Sequence, residues 1–333
     1  MDIGVGLPNA VPCVEAGTML DWARAAEQAG FSSLASTDRL VYLGYDAPTT
    51  LAAAAAVTSR CRLVTAVLLP AVRANTAVLA KQIATLDRLA EGRLLLGLAV
   101  GARPDDFAAA GTSFAGRGAF LEDQVGELRR IWDGERRGVA GPIGPAPYVD
   151  GGPEIVLGGH SAAAVDRAAR LGAGWISGAA GPELFAEGAE AVRDGWRQHG
   201  RRGRPRLLAL CYFALGPDAG HAAAGHLGHY YGFAPSYAEM VLGAAAVGAD
   251  RVLAAVQAFA AAGCDELLMM PCSSDPRQVD LLHDCVRDWA DSRPPRDAGL
   301  MTRGWPESES ELSRTSEGRR SEWPKTPAAS RRS

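Results

Sequence analysis

The 333-residue sequence is poor in several things, and each scarcity excludes a class of protein. It contains no run of 18 uncharged apolar residues, so a membrane-spanning helix is not expected. It opens on Asp2 and a strand-like run rather than a basic and then apolar leader, which makes a cytoplasmic protein the expectation. The six cysteines, Cys13, Cys61, Cys211, Cys264, Cys272 and Cys285, are scattered without a Cys-x-x-Cys pair. Neither a zinc or other metal site nor a disulfide framework is therefore expected. Positive charge is not in excess: 34 Lys and Arg stand against 38 Asp and Glu, a net charge of -4. Nucleic-acid readers are usually more basic, so no nucleic-acid partner is expected. No Gly-x-Gly-x-x-Gly follows a strand, which argues against a bound nicotinamide dinucleotide.

With 47% hydrophobic and 22% charged residues, the chain has the apolar mass for a large core. Short apolar runs recur at Ile3 to Leu7, Phe31 to Ser36, Leu63 to Leu69, Leu94 to Val100, Ile155 to Leu157, Trp175 to Ser177, Leu207 to Leu215 and Leu267 to Met270. Nearly continuous apolar segments of this length suit parallel strands covered on both faces. Helical patterns alternate with them. Met19, Trp22, Ala23 and Ala26 fall at i, i+3, i+4 and i+7, and Leu121, Val125, Leu128 and Trp132 form another stripe ending near Gly134. Helices stop at Gly30, Gly92, Gly172 and Gly263 just before the next strand, as left-handed caps would.

Eight strands alternating with helices predict an α/β fold, a closed (β/α)8 TIM barrel over residues 1–290. Two stretches interrupt the rhythm: a Gly- and Pro-rich insertion at 134–152 after the fourth strand, and residues 216–248 after the seventh, expected to form extra helices. From 291 to 333 the composition turns to mixed charge, Ser and Pro, which predicts a disordered polar tail.

In a barrel of this kind the βα links open on one face, so chemistry is sought at the strand ends. After Leu157, Gly158 and Gly159 let the backbone approach a ligand, and Ser161 sits where unpaired helix N–H groups favour an anion. Ser177 and Gly178, at the next strand end, would be neighbours. The same residues also fit a tight turn with Ser161 as a helix cap and His160 solvated. Asp38, Arg39 and Arg103 fall at other strand ends, the arginines as candidates for an anionic partner. His226, His229, Tyr230 and Tyr231 are candidates for a roof, or for an exposed or dimer-facing helix.

Several long segments resemble, in order, the bacterial luciferase-like family of flavin-dependent oxidoreductases. They are "AAEQAGFSSLASTDRL" (25–40), "RANTAVLAKQIATLDRLAEGRLLLGLAVG" (73–101), "FAGRGAFLEDQVGELRRIW" (114–132) and "PEIVLGGHSAAAVDRAARLGAGWI" (153–176). The resemblance implies a (β/α)8 barrel holding FMN, or the deazaflavin coenzyme F-420, at its mouth. It places the phosphate at Gly158, Gly159, His160, Ser161, Ser177 and Gly178, and the ring near Gly101 and a non-proline cis peptide at Thr65-Ala66. Asp38 matches a polar residue near the ring. Relatives often carry His where this chain has Arg39, and a deazaflavin sugar dehydrogenase has an acid where Ala102 and Arg103 follow Gly101.

The reading these features support is a reduced-FMN-dependent monooxygenase using molecular oxygen on a small organic substrate, with a separate flavin reductase as supplier and Asp38 and Arg39 as catalytic candidates. A deazaflavin-dependent hydride-transfer enzyme is the rival, and a non-catalytic flavin- or partner-binding barrel is a third alternative. The resemblance leaves open a homodimer.

Overall fold

A computed structural model describes residues 1–291, and the tail expected from 291 onward lies outside the described residues apart from its first position. The chain runs β1 (Asp2–Gly6), α1 (Ala16–Gln28), β2 (Ser33–Ser36), α2 (Ala47–Ala55), β3 (Arg62–Thr65), α3 (Thr76–Leu89), β4 (Leu94–Leu98), α4 (Pro104–Ala110) and α5 (Arg117–Trp132). It continues through β5 (Glu154–Gly158), α6 (Ala162–Leu171), β6 (Gly174–Ser177), α7 (Pro182–Gln198), β7 (Arg206–Ala214), α8 (Ala219–Tyr230) and α9 (Pro235–Ala244). The last elements are β8 (Ala246–Val247), α10 (Ala249–Ala261), β9 (Glu266–Pro271) and α11 (Arg277–Asp291).

All strand pairs are parallel, and the order β1-β2-β3-β4-β5-β6-β7-β9 closes on itself through Trp175 opposite Leu207, Ala209 opposite Leu267 and Ile3 opposite Leu267. This is the expected (β/α)8 barrel. Because side chains alternate across a strand, successive residues enter two cores. On β7, Leu207, Ala209, Cys211 and Phe213 face the helices, while Leu208, Leu210, Tyr212 and Ala214 fill the interior. The interior layer continues with Ala35, Val64, Leu95, Val156, Ile176 and Leu268. The stripe Met19, Trp22, Ala23 and Ala26 is buried on α1, as its period demands.

The opposite end of the barrel is plugged by charge. At the strand starts, Arg206 Nη2 reaches Glu266 Oε2 at 2.6 Å and its Nη1 reaches Glu154 Oε2 at 3.2 Å, with Ser32 Oγ donating to Glu266 at 2.7 Å. Burial would raise the Glu266 carboxyl, but Arg206 and the neighbouring serines hold it below its ordinary range.

Both interruptions are real. Residues 134–152 form a strapped excursion: Lys81 and Arg88 of α3 donate to Gly144 O and Ala146 O, and Asp87 accepts from the N–H groups of Tyr148 and Val149. Residues 216–248 carry α8 and α9, with β8 added as a short outer strand on β7. One expectation needs correcting: Gly30, Gly92 and Gly263 have left-handed φ, but Gly172 has φ -85°. At Gly172 the reason for glycine is space, because a Cβ would come within 2.8 Å of Gly174 O.

Among the described residues no helix is long and apolar enough to cross a membrane, no cluster of side chains could hold a metal, and all six cysteines are free thiols.

Candidate active site

At the C-terminal ends of the strands the βα links enclose a cavity of about 430 Å³, within the range of roughly 300–1,000 Å³ usual for small-molecule sites. Ile176 and Leu210 supply apolar lining at the level of the strands. The links after β3 and β4 contribute Ala66, Val67, Ala99 and Gly101, and the ends of β5 and β6 with their links contribute Gly158, Gly159, His160, Ser177 and Gly178. The end of α8, the start of α9 and the segment between them cover it with Tyr230, Tyr231, Phe233 and Tyr237.

After β3 the backbone steps out of the ladder. Ala66 N–H still donates to Ser36 O at 2.8 Å and Leu68 N–H to Gly97 O at 2.8 Å, which leaves Val67 displaced between them. The non-proline cis peptide is Ala66–Val67, one residue later than the expected Thr65-Ala66. The ladder explains the offset: Thr65 is paired with Ser36 and its Oγ1 donates to Gly97 O at 2.8 Å. Thr65 is thus fully buried in the wall and does not line the cavity, whereas Ala66 does.

The Gly-Gly join after β5 is built to expose backbone. Gly159 has φ +125°, its carbonyl accepts from Trp175 Nε1 at 2.9 Å, and a Cβ there would meet Ala164 Cβ at 2.7 Å. Ser161 caps α6, its Oγ accepting from Ala164 N–H at 3.2 Å, and is exposed outside the cavity lining. Gly178 has the nearest side chains of the cradle over it: a Cβ would stand 3.2 Å from His160 Nε2 and 3.3 Å from Tyr237 Oη. His160 packs edge-on against Trp175, and this desolvation lowers its pKa below the ordinary value while its outer edge stays exposed.

Charge is concentrated after β2 and β4. Asp38 is buried, and both oxygens are engaged: Oδ2 by Leu69 N–H at 3.0 Å and Oδ1 by Arg73 Nη2 at 2.7 Å. Burial pushes its carboxyl up, against the pull of Arg73 and that N–H. Its partner is therefore Arg73 rather than the adjacent Arg39. Asn9, at the end of β1, fixes the neighbouring backbone through Thr37 O at 2.7 Å and Thr37 N–H at 3.2 Å. Arg39 lines the cavity, pairs with Asp105 at 3.2 Å, donates to Tyr230 O at 3.4 Å and stacks over Tyr42.

Of the roof candidates, Tyr230 and Tyr231 line the cavity. His226 is buried behind them with its pKa lowered to about 4 by desolvation, and exposed His229 bonds Tyr42 Oη at 2.8 Å. Tyr212 and Tyr231 hydroxyls stand 3.1 Å apart, and burial keeps both protonated.

Asp106 closes the strand-end segment Gly101 to Asp106, and sequence pattern alone gives it no role. It is buried in the lining five positions after Gly101, with Oδ1 accepting from Val41 N–H at 2.6 Å and Oδ2 unpartnered. The Pro104-Asp105-Asp106 opening of α4 was the available signal, since acidic residues favour a helix start.

The comparisons with known proteins agree with this architecture. The model of the luciferase-like monooxygenase family matches residues 1–265. An F420-dependent glucose-6-phosphate dehydrogenase of Mycobacterium tuberculosis is 33% identical over 195 residues, covering 53% of this chain and 58% of that protein. The chain thus spans about three-fifths of the length of the first curated relatives it matches. Monooxygenase RslO1 from Streptomyces bottropensis superposes with a TM-score of 0.72 at 24% identity, covering 87% of this chain and all of that one. The oxygenating constituent of 3,6-diketocamphane monooxygenase from Pseudomonas putida, in complex with FMN, gives 0.69 at 18% identity, covering 86% and 96%. At such identities the two structures speak for the fold.

Proposed function

The chain belongs to the luciferase-like monooxygenase family, and from that membership we propose that it is a flavin-dependent oxidoreductase, specifically a monooxygenase that takes reduced FMN and molecular oxygen to a small organic substrate. The observation that carries this reading is the glycine cradle of Gly158, Gly159 and Gly178 opening into an apolar, tyrosine-roofed cavity at the barrel mouth. The cradle fits a phosphate, because bare backbone beside the start of α6 offers N–H donors and the positive end of a helix dipole. The small-residue wall of Ala66, Val67, Ala99 and Gly101 leaves room for a fused ring. When bound, the flavin would supply the two-electron and oxygen chemistry. The protein's share would be to orient the ring, exclude water with Tyr230, Tyr231 and Phe233, and donate protons from the Tyr212 and Tyr231 hydroxyls.

Oxygen chemistry is favoured over alcohol dehydrogenation because neither carboxylate of the lining is a free base, and His160, the neutral imidazole there, stands in the glycine cradle rather than at the wall of Ala66 and Val67. Asp38 is tied at both oxygens, and Asp106 is held at Oδ1 and kept protonated more readily by desolvation. A deazaflavin-dependent hydride transfer is the second reading, favoured by the F420-dependent relative at 33% identity.

Titration of the purified protein with reduced FMN under anoxia and with F-420, followed by oxygen uptake, tests the choice. Tight binding of reduced FMN and substrate-coupled oxygen consumption are expected. Oxygen-independent turnover with F-420, and none with reduced FMN, would reverse it. If Gly178→Trp abolishes cofactor binding and leaves the cellular function intact, a partner-binding role independent of the cofactor replaces the catalytic one.

A further inference from the structure

Arg103 is a buried cation held by a backbone oxygen and aromatic rings. It is 7% exposed, lies in the cavity wall, and forms no ion pair among the described residues. Its Nη2 donates to Tyr230 O at 2.6 Å, its plane packs over Tyr230 at 4.5 Å and Phe233 at 4.2 Å, and Nη1 has no partner. Arg39 Nη1 points to the same carbonyl, and Arg39 Nε is likewise without a partner. Two guanidinium groups therefore converge on one backbone oxygen at the end of α8, from links 64 positions apart in sequence, with half-exposed Asp105 paired to Arg39 and buried Asp106, whose carboxyl desolvation raises, also in electrostatic reach of Arg39. Holding like charges together away from water is costly unless an anion joins them.

We propose that Arg103, backed by Arg39, is the recognition point for the carboxylate of a planar, largely aromatic substrate. The inference rests on the oxidoreductase reading and names its substrate class. A carboxylate matches the fork of a guanidinium in a way a point charge does not, and the rings of Tyr230, Tyr231 and Tyr237 suit the flat remainder. The strand-level wall of Ala66 and Val67 is left for the coenzyme ring, since Arg103 lies beyond the end of β4 and is joined to the roof. Phe233, 43% exposed on the link 231–234, covers the guanidinium and is the group that would yield on entry.

The test compares 2-naphthoate with 2-naphthamide, a neutral probe of the same shape, by calorimetry on the cofactor-loaded protein. Wild type is expected to prefer the acid by about tenfold or more, as a charge-assisted pair requires, with the preference falling as salt is raised. Arg103→Met should reduce it to within about twofold while the flavin affinity stays within about twofold. Arg103→Lys, which keeps the charge and loses the fork, should retain part of it and guards against a Met variant that fails to fold. Absence of a preference in wild type, its survival in Arg103→Met, or a parallel loss of flavin affinity would each overturn the proposal. Should neither flavin nor deazaflavin bind, the oxidoreductase reading fails by itself, and the same acid and amide comparison on the unloaded chain still decides the carboxylate site.

Discussion

A methyl group added at Gly178 and one added at Gly159 would act differently. At Gly178 the backbone accepts it and the nearest atoms are the ends of His160 and Tyr237, so Gly178→Ala is expected to narrow the cradle without unfolding it. Cofactor affinity measured by flavin fluorescence should fall about tenfold with an unchanged melting temperature. At Gly159, φ +125° and the 2.7 Å approach to Ala164 place the cost in the fold, and Gly159→Ala should lose about 1–3 kcal/mol in urea unfolding. Away from the mouth, Glu27 titrates low. Burial alone would raise its carboxyl, but the N–H groups of Arg60, Ser59 and Cys61 outweigh that and bring it from 4.5 to about 2. A depressed folded value means stability that is present above about pH 4.5 and lost as pH falls toward 2. Wild type should therefore lose melting temperature more steeply than Glu27→Gln between those limits, and parallel curves would remove this loop from the acid response. Single residues were partly legible. Gly158 and Gly159 are legible as a place where backbone is bared, though a tight turn reads the same way, whereas the cis peptide falls one position after Thr65-Ala66 because the ladder holding Thr65 to Ser36 is a tertiary fact.

Elements were easier to read than residues, because their signals are local. A short, nearly continuous apolar run marks a strand covered on both faces, and a 3.6-residue stripe marks a helix, whatever lies elsewhere in the chain. The short α4 and the two-residue β8 escaped such reading, one for lack of a full stripe and the other because it exists by pairing with β7. The charged plug at the strand starts also depends on assembly. Arg206 there has Glu266 and Glu154 as partners 60 and 52 positions away. Arg206→Met would leave Glu266, 1% exposed, without its hydrogen-bonded cation and with only Arg62 in electrostatic reach, and is expected to cost about 3 kcal/mol in chemical denaturation. Glu266→Leu added to it should recover much of that loss; a double variant as weak as the single one would assign the plug's contribution to packing instead.

For the molecule as a whole, the described residues 1–291 already close the barrel, and we propose that this part is the complete folding unit. A chain ended after Asp291 should melt within about 2 °C of the full sequence, and saturating the cofactor to about 100 times its Kd should stabilise either form by about 2.7 kcal/mol. A truncated chain that melts lower, or fails to gain from the cofactor, would extend the folding unit beyond Asp291. From its sequence alone the chain determined the barrel, the order of its units, the excursion at 134–152, the helices after β7 and the glycine cradle, all carried by periodicity and turn chemistry between near neighbours. Only the closed barrel decided that Asp38 answers to Arg73, that Arg39 and Arg103 meet at Tyr230 O, 191 and 127 positions away, and that Asp106 enters the lining. The reason is physical: local sterics set each element, but which side chains share the mouth depends on closure bringing distant links to the same end.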